Sequence, residues 1–126
     1  MNTNNPSTGA FTIRGINVQE GLARFAGDEG RYRHWLLDFT NHGPEAASQI
    51  RETIMNGTQE AAIRLTHAFK GRAGMLGMPE LHSIALSLEM TLRNNEPSSL
   101  WLEELELTIK EMTEAITAEL GEKKPE

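Results

Sequence analysis

His67, Lys70, Gly71 and Gly74 lie in the stretch Thr58–Gly77 and fall on one side of a projected helix. An imidazole displayed in this way can act as a nucleophile, because near pH 7 one of its ring nitrogens is largely neutral. Lys70, one turn further on, would set a flexible point charge beside any anion formed on that ring. Each of the two glycines costs about 1 kcal/mol relative to alanine in a helix interior. Access offsets that cost, since without a β-carbon another molecule's backbone can come close to the imidazole. Glu60, Ile63 and Arg64 fall on the same face. Ile63, apolar among polar neighbours, and Arg64 are candidate docking residues for a partner protein.

The element that must carry these residues is amphipathic. Ala62, Leu65, Phe69 and Leu76 recur at steps of three, four and seven, which predicts a helix with one core-facing stripe. Thr58 can cap its start and Gly77 can stop it. Before it, Asn17 offers a cap with Glu20 as capping-box partner, and Val18, Leu22 and Phe25 form a short helix ending near Gly27. Asp28 opens a long segment, about 29–55, with Tyr32, Trp35, Leu36, Phe39, Ala47, Ile50 and Ile54 as its apolar positions. Gly43–Pro44 interrupts it, so the expectation is one helix kinked near 40–44, with two abutting helices as the alternative. After Gly77, Pro79 suits a first helical turn, and Leu81, Ile84, Ala85, Leu88 and Leu92 form the next stripe. Ser98 or Ser99 caps a last helix carrying Leu102, Leu105, Ile109, Met112 and Ile116.

Short loops between such helices predict an all-α fold, an up-down antiparallel four-helix bundle with a short additional N-terminal helix. The expected domain covers 15–120. Residues 1–14 read as a flexible lead or linker, within which Phe11–Ile13 could lie along the bundle, and 121–126 read as a flexible tail.

The chain has 126 residues, enough for one core, and no cysteine, which excludes disulfides and thiolate chemistry. Its formal net charge of −6 argues against a nucleic-acid partner. No apolar run approaches the roughly 18 residues that span a bilayer. These features predict a soluble cytoplasmic domain that contacts no membrane.

His67-x-x-Lys70-Gly71, followed by Ala73, Leu76 and Gly77, resembles the signature of histidine-containing phosphotransfer (HPt) domains of bacterial phosphorelays. Leu88–Glu89 on the following helix fits the same pattern, and the resemblance runs from about Gly15 to Asn94. Arg72 departs from it, standing where the family usually has a small serine or alanine. The resemblance implies that His67 takes a phosphoryl group on Nε2 from a receiver-domain aspartate and passes it to another receiver. Lys70 would help hold the phosphate, and Gly71, Gly74, Ile63 and Arg64 would serve partner access and docking. It implies no cofactor of the chain's own, Mg²⁺ being supplied by the partner receiver. It also implies a monomeric phosphocarrier without ATP-dependent kinase activity, either free-standing or acting with a hybrid sensor histidine kinase in cis or in trans.

A different class, a helical scaffold that binds signalling partners without phosphate chemistry, is the alternative. A metal-dependent enzyme is more distant. His34 and Asp38 have the i, i+4 spacing of two ligands on one helix, but no third ligand accompanies them, so no metal site is expected. His42 and His82 lack the surroundings of His67.

Overall fold

The computed structural model describes residues 11–121, and every regular element in that range is an α-helix. Helix α1 is Val18–Arg24, α2 Glu29–Asn56, α3 Gln59–Met75, α4 Pro79–Arg93 and α5 Ser99–Leu120. The caps follow side-chain chemistry. Asn17, Asp28 and Thr58 accept hydrogen bonds from the backbone N–H groups of Glu20, Arg31 and Ala61, satisfying donors that each helix start leaves free. Pro79 occupies the first turn of α4, and Ser98 caps α5 without a side-chain hydrogen bond.

Helices α2 to α5 form the bundle. Helix α3 packs on α4 and α2, and α5 on α2 and α4, so α3 and α5 stand at opposite corners. Cross-helix contacts establish the antiparallel order. Tyr32 near the start of α2 meets Leu76 just after α3, Arg51 late in α2 meets Glu106 early in α5, and Gln59 meets Leu92. The expected stripes of α4 and α5 are all buried.

Helix α2 runs through Pro44 as a single element, so the alternative of two abutting helices is not adopted. Pro44 is exposed, so the proline ring stands on the outer side of α2 and not in the core. Gly43 is buried for a steric reason, because a β-carbon there would stand 2.9 Å from the Phe39 ring. That ring packs 6.1 Å from Phe69 in the core. The bidentate Arg51–Glu106 pair, 2.6 and 2.8 Å, ties the far half of α2 to α5.

Three expectations need correction. Phe11 and Ile13 are each only 5% exposed and belong to the core, so this segment does lie on the bundle and the domain begins before residue 15, while Thr12 and Arg14 face outward. Phe11 stacks on Tyr32, and Ile13 pairs with Ile16 around a tight turn in which Gly15 has φ 84°. The rest of the lead, 1–10, and the tail 122–126 lie outside the described residues. Leu65 is only half-buried, whereas Thr66 beside it is fully buried because its hydroxyl donates to the Ala62 carbonyl at 2.8 Å. Trp35 points outward, 42% exposed.

One junction fixes the end of α3 over the start of the bundle. The buried Tyr32 hydroxyl donates to the Leu76 carbonyl at 2.8 Å, and burial pushes the phenol's pKa up. Gly77, at φ 80°, turns the chain there, and its carbonyl accepts from Asn17 N–H at 2.7 Å. A side chain at Gly77 would collide with the Asn17 carbonyl, so the residue is held to glycine by both conformation and space.

Candidate functional site

The side chain of His67 is 62% exposed on the outer face of α3, and one edge of its ring is held. Nδ1 lies 3.0 Å from Oε2 of Glu89 on α4. Glu89 is 4% exposed and gathers three partners: His67, Lys70 with Nζ 2.9 Å from Oε1, and Arg93 with Nε and Nη2 at 3.1 and 2.8 Å from Oε2. The Lys70 ammonium approaches off the line of a good hydrogen bond, so Oε1 has its charge but no well-aligned donor.

Burial alone would raise the Glu89 pKa. Its contacts with Lys70, Arg93 and His67, together with the Lys70 charge, outweigh burial and bring it down to about 2. Glu89 is therefore a carboxylate at neutral pH and can only accept. The neutral imidazole must then donate from Nδ1–H, which leaves the lone pair on Nε2, at the ring edge away from Glu89. This arrangement fixes a tautomer and leaves a lone pair that can act as a nucleophile.

Lys70 is thus drawn inward to Glu89, with only 19% of its side chain exposed. Its position beside His67 agrees with the expected neighbourhood, but its charge is already shared with a carboxylate. Gly71 is exposed, and a β-carbon built on it would meet nothing within 4 Å. Gly74 differs. A β-carbon there would lie 3.2 Å from Nδ1 of His82, so this glycine makes room for a side chain of α4. His82 uses that room to place Nδ1 3.1 Å from the Lys70 carbonyl, and the Gly74 carbonyl accepts from Arg24 at 2.7 Å. Ile63 is half-buried against the core, and Arg64 is exposed.

The remaining histidines form no second centre. His42 Nδ1 contacts Asp38 at 2.8 Å, and His34 lies edge-on to Trp35 at 5.1 Å. Asp38 is therefore engaged with His42 rather than paired with His34 around an ion. No group of three or more potential metal-binding side chains occurs among the described residues. No helix is long and apolar enough to cross a membrane among those residues.

Sequence reading singled out His67 but did not give Glu89 and Arg93 a part in its site. The available signal was a carboxylate between the buried positions Leu88 and Leu92, where a charge is tolerated only if paired.

Fold and site together define a helical bundle that presents a hydrogen-bonded histidine on its flank. A family model described as the Hpt domain matches residues 34–119, and the chain belongs to that family. Hpt domains are phosphocarriers rather than enzymes; they serve histidine phosphotransfer in phosphorelays and interact with response-regulator receiver domains. Searches of curated proteins and of solved structures returned no match to this chain.

Proposed function

We propose that this chain is a phosphorelay intermediate in which Nε2 of His67 accepts a phosphoryl group from a receiver-domain aspartate and passes it to a second receiver. The observation that carries this reading is the Glu89 contact at Nδ1, which leaves Nε2 as the free lone pair on an exposed ring. In transfer, the Nε2–P bond forms as the P–O bond to the aspartate breaks. The Nδ1 proton stays hydrogen-bonded to Glu89, which stabilises the positive charge developing on the ring. The onward step reverses these changes.

Such transfer needs in-line positioning and charge neutralisation rather than an acid–base array. Lys70 and Arg93 supply neutralisation locally. By balancing Glu89, they keep a bare carboxylate from repelling the incoming phosphoryl group. Mg²⁺ would come from the receiver, and this chain would need no cofactor of its own. Gly71 leaves the approach to His67 open, and Arg64 borders that approach. The chain would work in the cytoplasm as a monomer, with a hybrid sensor histidine kinase as one possible source of phosphoryl groups, in cis or in trans.

The deciding experiment mixes the chain with a phosphorylated receiver and Mg²⁺ and measures intact mass. A gain of about 80 Da, labile in acid and absent from His67→Gln, is the expected outcome. Labelling of His67→Gln to the same stoichiometry would refute the assignment. A chain that binds receivers but is labelled by none of them would be a scaffold.

A further inference from the structure

Four arginines on the helices are tied to carboxylates: Arg24 to Glu20, Arg33 to Glu29, Arg51 to Glu106 and Arg93 to Glu89. The other three, Arg31 on α2 and Arg64 and Arg72 on α3, are exposed, and none forms a salt bridge or side-chain hydrogen bond among the described residues; Arg31 lines the same cleft as Arg72. Arg64 and Arg72 stand eight positions apart, roughly 12 Å along the helix axis; His67 is between them in height, but both are turned from it towards α2, Arg64 by roughly 60° and Arg72 by roughly 140°. The surface between them is low. Ala68 and Gly71 are both exposed, and nothing lies within 4 Å of where a Gly71 β-carbon would be.

Arg72 lies at the seam of α2 and α3, bordering two clefts. One contains Trp35, Asp38 and Met75, and the other His42 and Glu45. The local acids do not discharge it: Asp38 is engaged by His42 at 2.8 Å, and Glu45 forms no salt bridge. The exposed indole of Trp35 and the thioether of Met75 give the same seam an apolar component. Arg64 and Arg72 thus set free guanidinium groups on one side of the histidine, the side towards α2, on a chain whose net charge is −6. Acidic charge collects at the opposite corner, where α5 carries Glu103, Glu104, Glu106, Glu111, Glu114 and Glu119 against Lys110.

We propose that Arg64 and Arg72 act as a two-point charge reader that selects receiver domains bearing acidic side chains along the side of their phosphoaspartate pocket that meets the α2–α3 seam. This rests on the phosphocarrier reading and names the partner chemistry that reading leaves open. Guanidinium groups favour carboxylates through paired, planar hydrogen bonds. Charges at the edge of a contact surface speed encounter and reject mismatched partners, and salt weakens both effects. An extended polyanion would also meet the acidic α5, whereas a compact acidic rim meets α3 alone.

The test measures binding of an unphosphorylated receiver with an acidic rim, which needs no transfer chemistry, at about 50 and 300 mM NaCl. The proteins are the wild-type chain, Arg64→Gln, Arg72→Gln and the double variant. We expect the double variant to bind roughly five- to tenfold more weakly at low salt, with a flatter salt dependence. The difference should vanish against the same receiver with its rim carboxylates changed to amides. Circular dichroism confirms that the variants are folded, and Arg72→Lys, which keeps the charge, should recover part of the affinity. Equal affinities for wild type and double variant, or an equal loss against the neutral-rim receiver, would overturn the proposal. Labelling of the wild-type chain by phosphoramidate tests the phosphocarrier reading separately. Arginine-dependent binding without labelling would sink that reading alone, and labelling with arginine-independent binding would sink this one alone.

Discussion

Glu89 illustrates how one buried charge can orient an exposed side chain. Its folded pKa of about 2 lies below the roughly 4.3 of a free glutamate, so folding favours the ionised form. The resulting stabilisation is complete above pH ~4.5 and fades as pH falls towards 2, in total on the order of 3 kcal/mol. We expect urea denaturation to show this loss in the wild type and a much flatter profile in Glu89→Gln. Glutamine still offers Nδ1–H an acceptor, so that variant should remain phosphorylatable on His67 although it is less stable at neutral pH. Equal acid sensitivity in the two proteins would mean that Glu89 is not the titrating group. At this scale the exposed histidine was legible in the sequence and the carboxylate that holds its ring was not. His67 and Lys70 are three residues apart, a relation that helical spacing reveals. Glu89 lies 22 residues away, and its meeting with His67 depends on the register of α3 against α4.

At the scale of elements, α3 shows two glycines on one face doing different things. Gly71 faces open space and Gly74 faces His82. Replacing Gly71 by leucine should therefore keep or raise stability by about 0.5–1 kcal/mol, the usual gain of removing glycine from a helix. It should also slow transfer from a receiver by tenfold or more through obstruction. Gly74→Ala should gain little, because its β-carbon must displace the imidazole that reaches the Lys70 carbonyl. Thermal melts and transfer rates on the two variants check both statements, and identical behaviour would refute the distinction. Spacing alone gave the two glycines one role, because a helical projection shows which face a residue occupies and not what packs there. The same limit explains Thr66: its hydroxyl looked polar, but by bonding back to Ala62 it satisfies itself and is buried.

For the whole molecule, the helix order, the antiparallel arrangement and the stripes of α4 and α5 were all readable from apolar periods and caps. The N-terminal edge was only partly so: Phe11–Ile13 could be read as apolar residues lying along the bundle, but two such residues are too few to show a period and follow a polar lead, so the segment's place in the domain was missed. Their burial makes a direct prediction. A chain beginning at residue 15 should be roughly 3–5 kcal/mol less stable than one beginning at residue 11, as expected for losing two core side chains. Matched denaturation curves would show it, and coincident midpoints would mean that these residues merely cover a finished core. The position of His67 on an open flank, far from any enclosed chamber, has a consequence of its own. A convex surface bearing a single acceptor atom has room for one partner at a time, so in a carrier built this way donor and recipient compete for the same ground. On the proposed function, cargo would move only after the first visitor departs, and between visits the N–P bond would stand in bulk water, where the chemistry of the bond itself would set how long the message lasts.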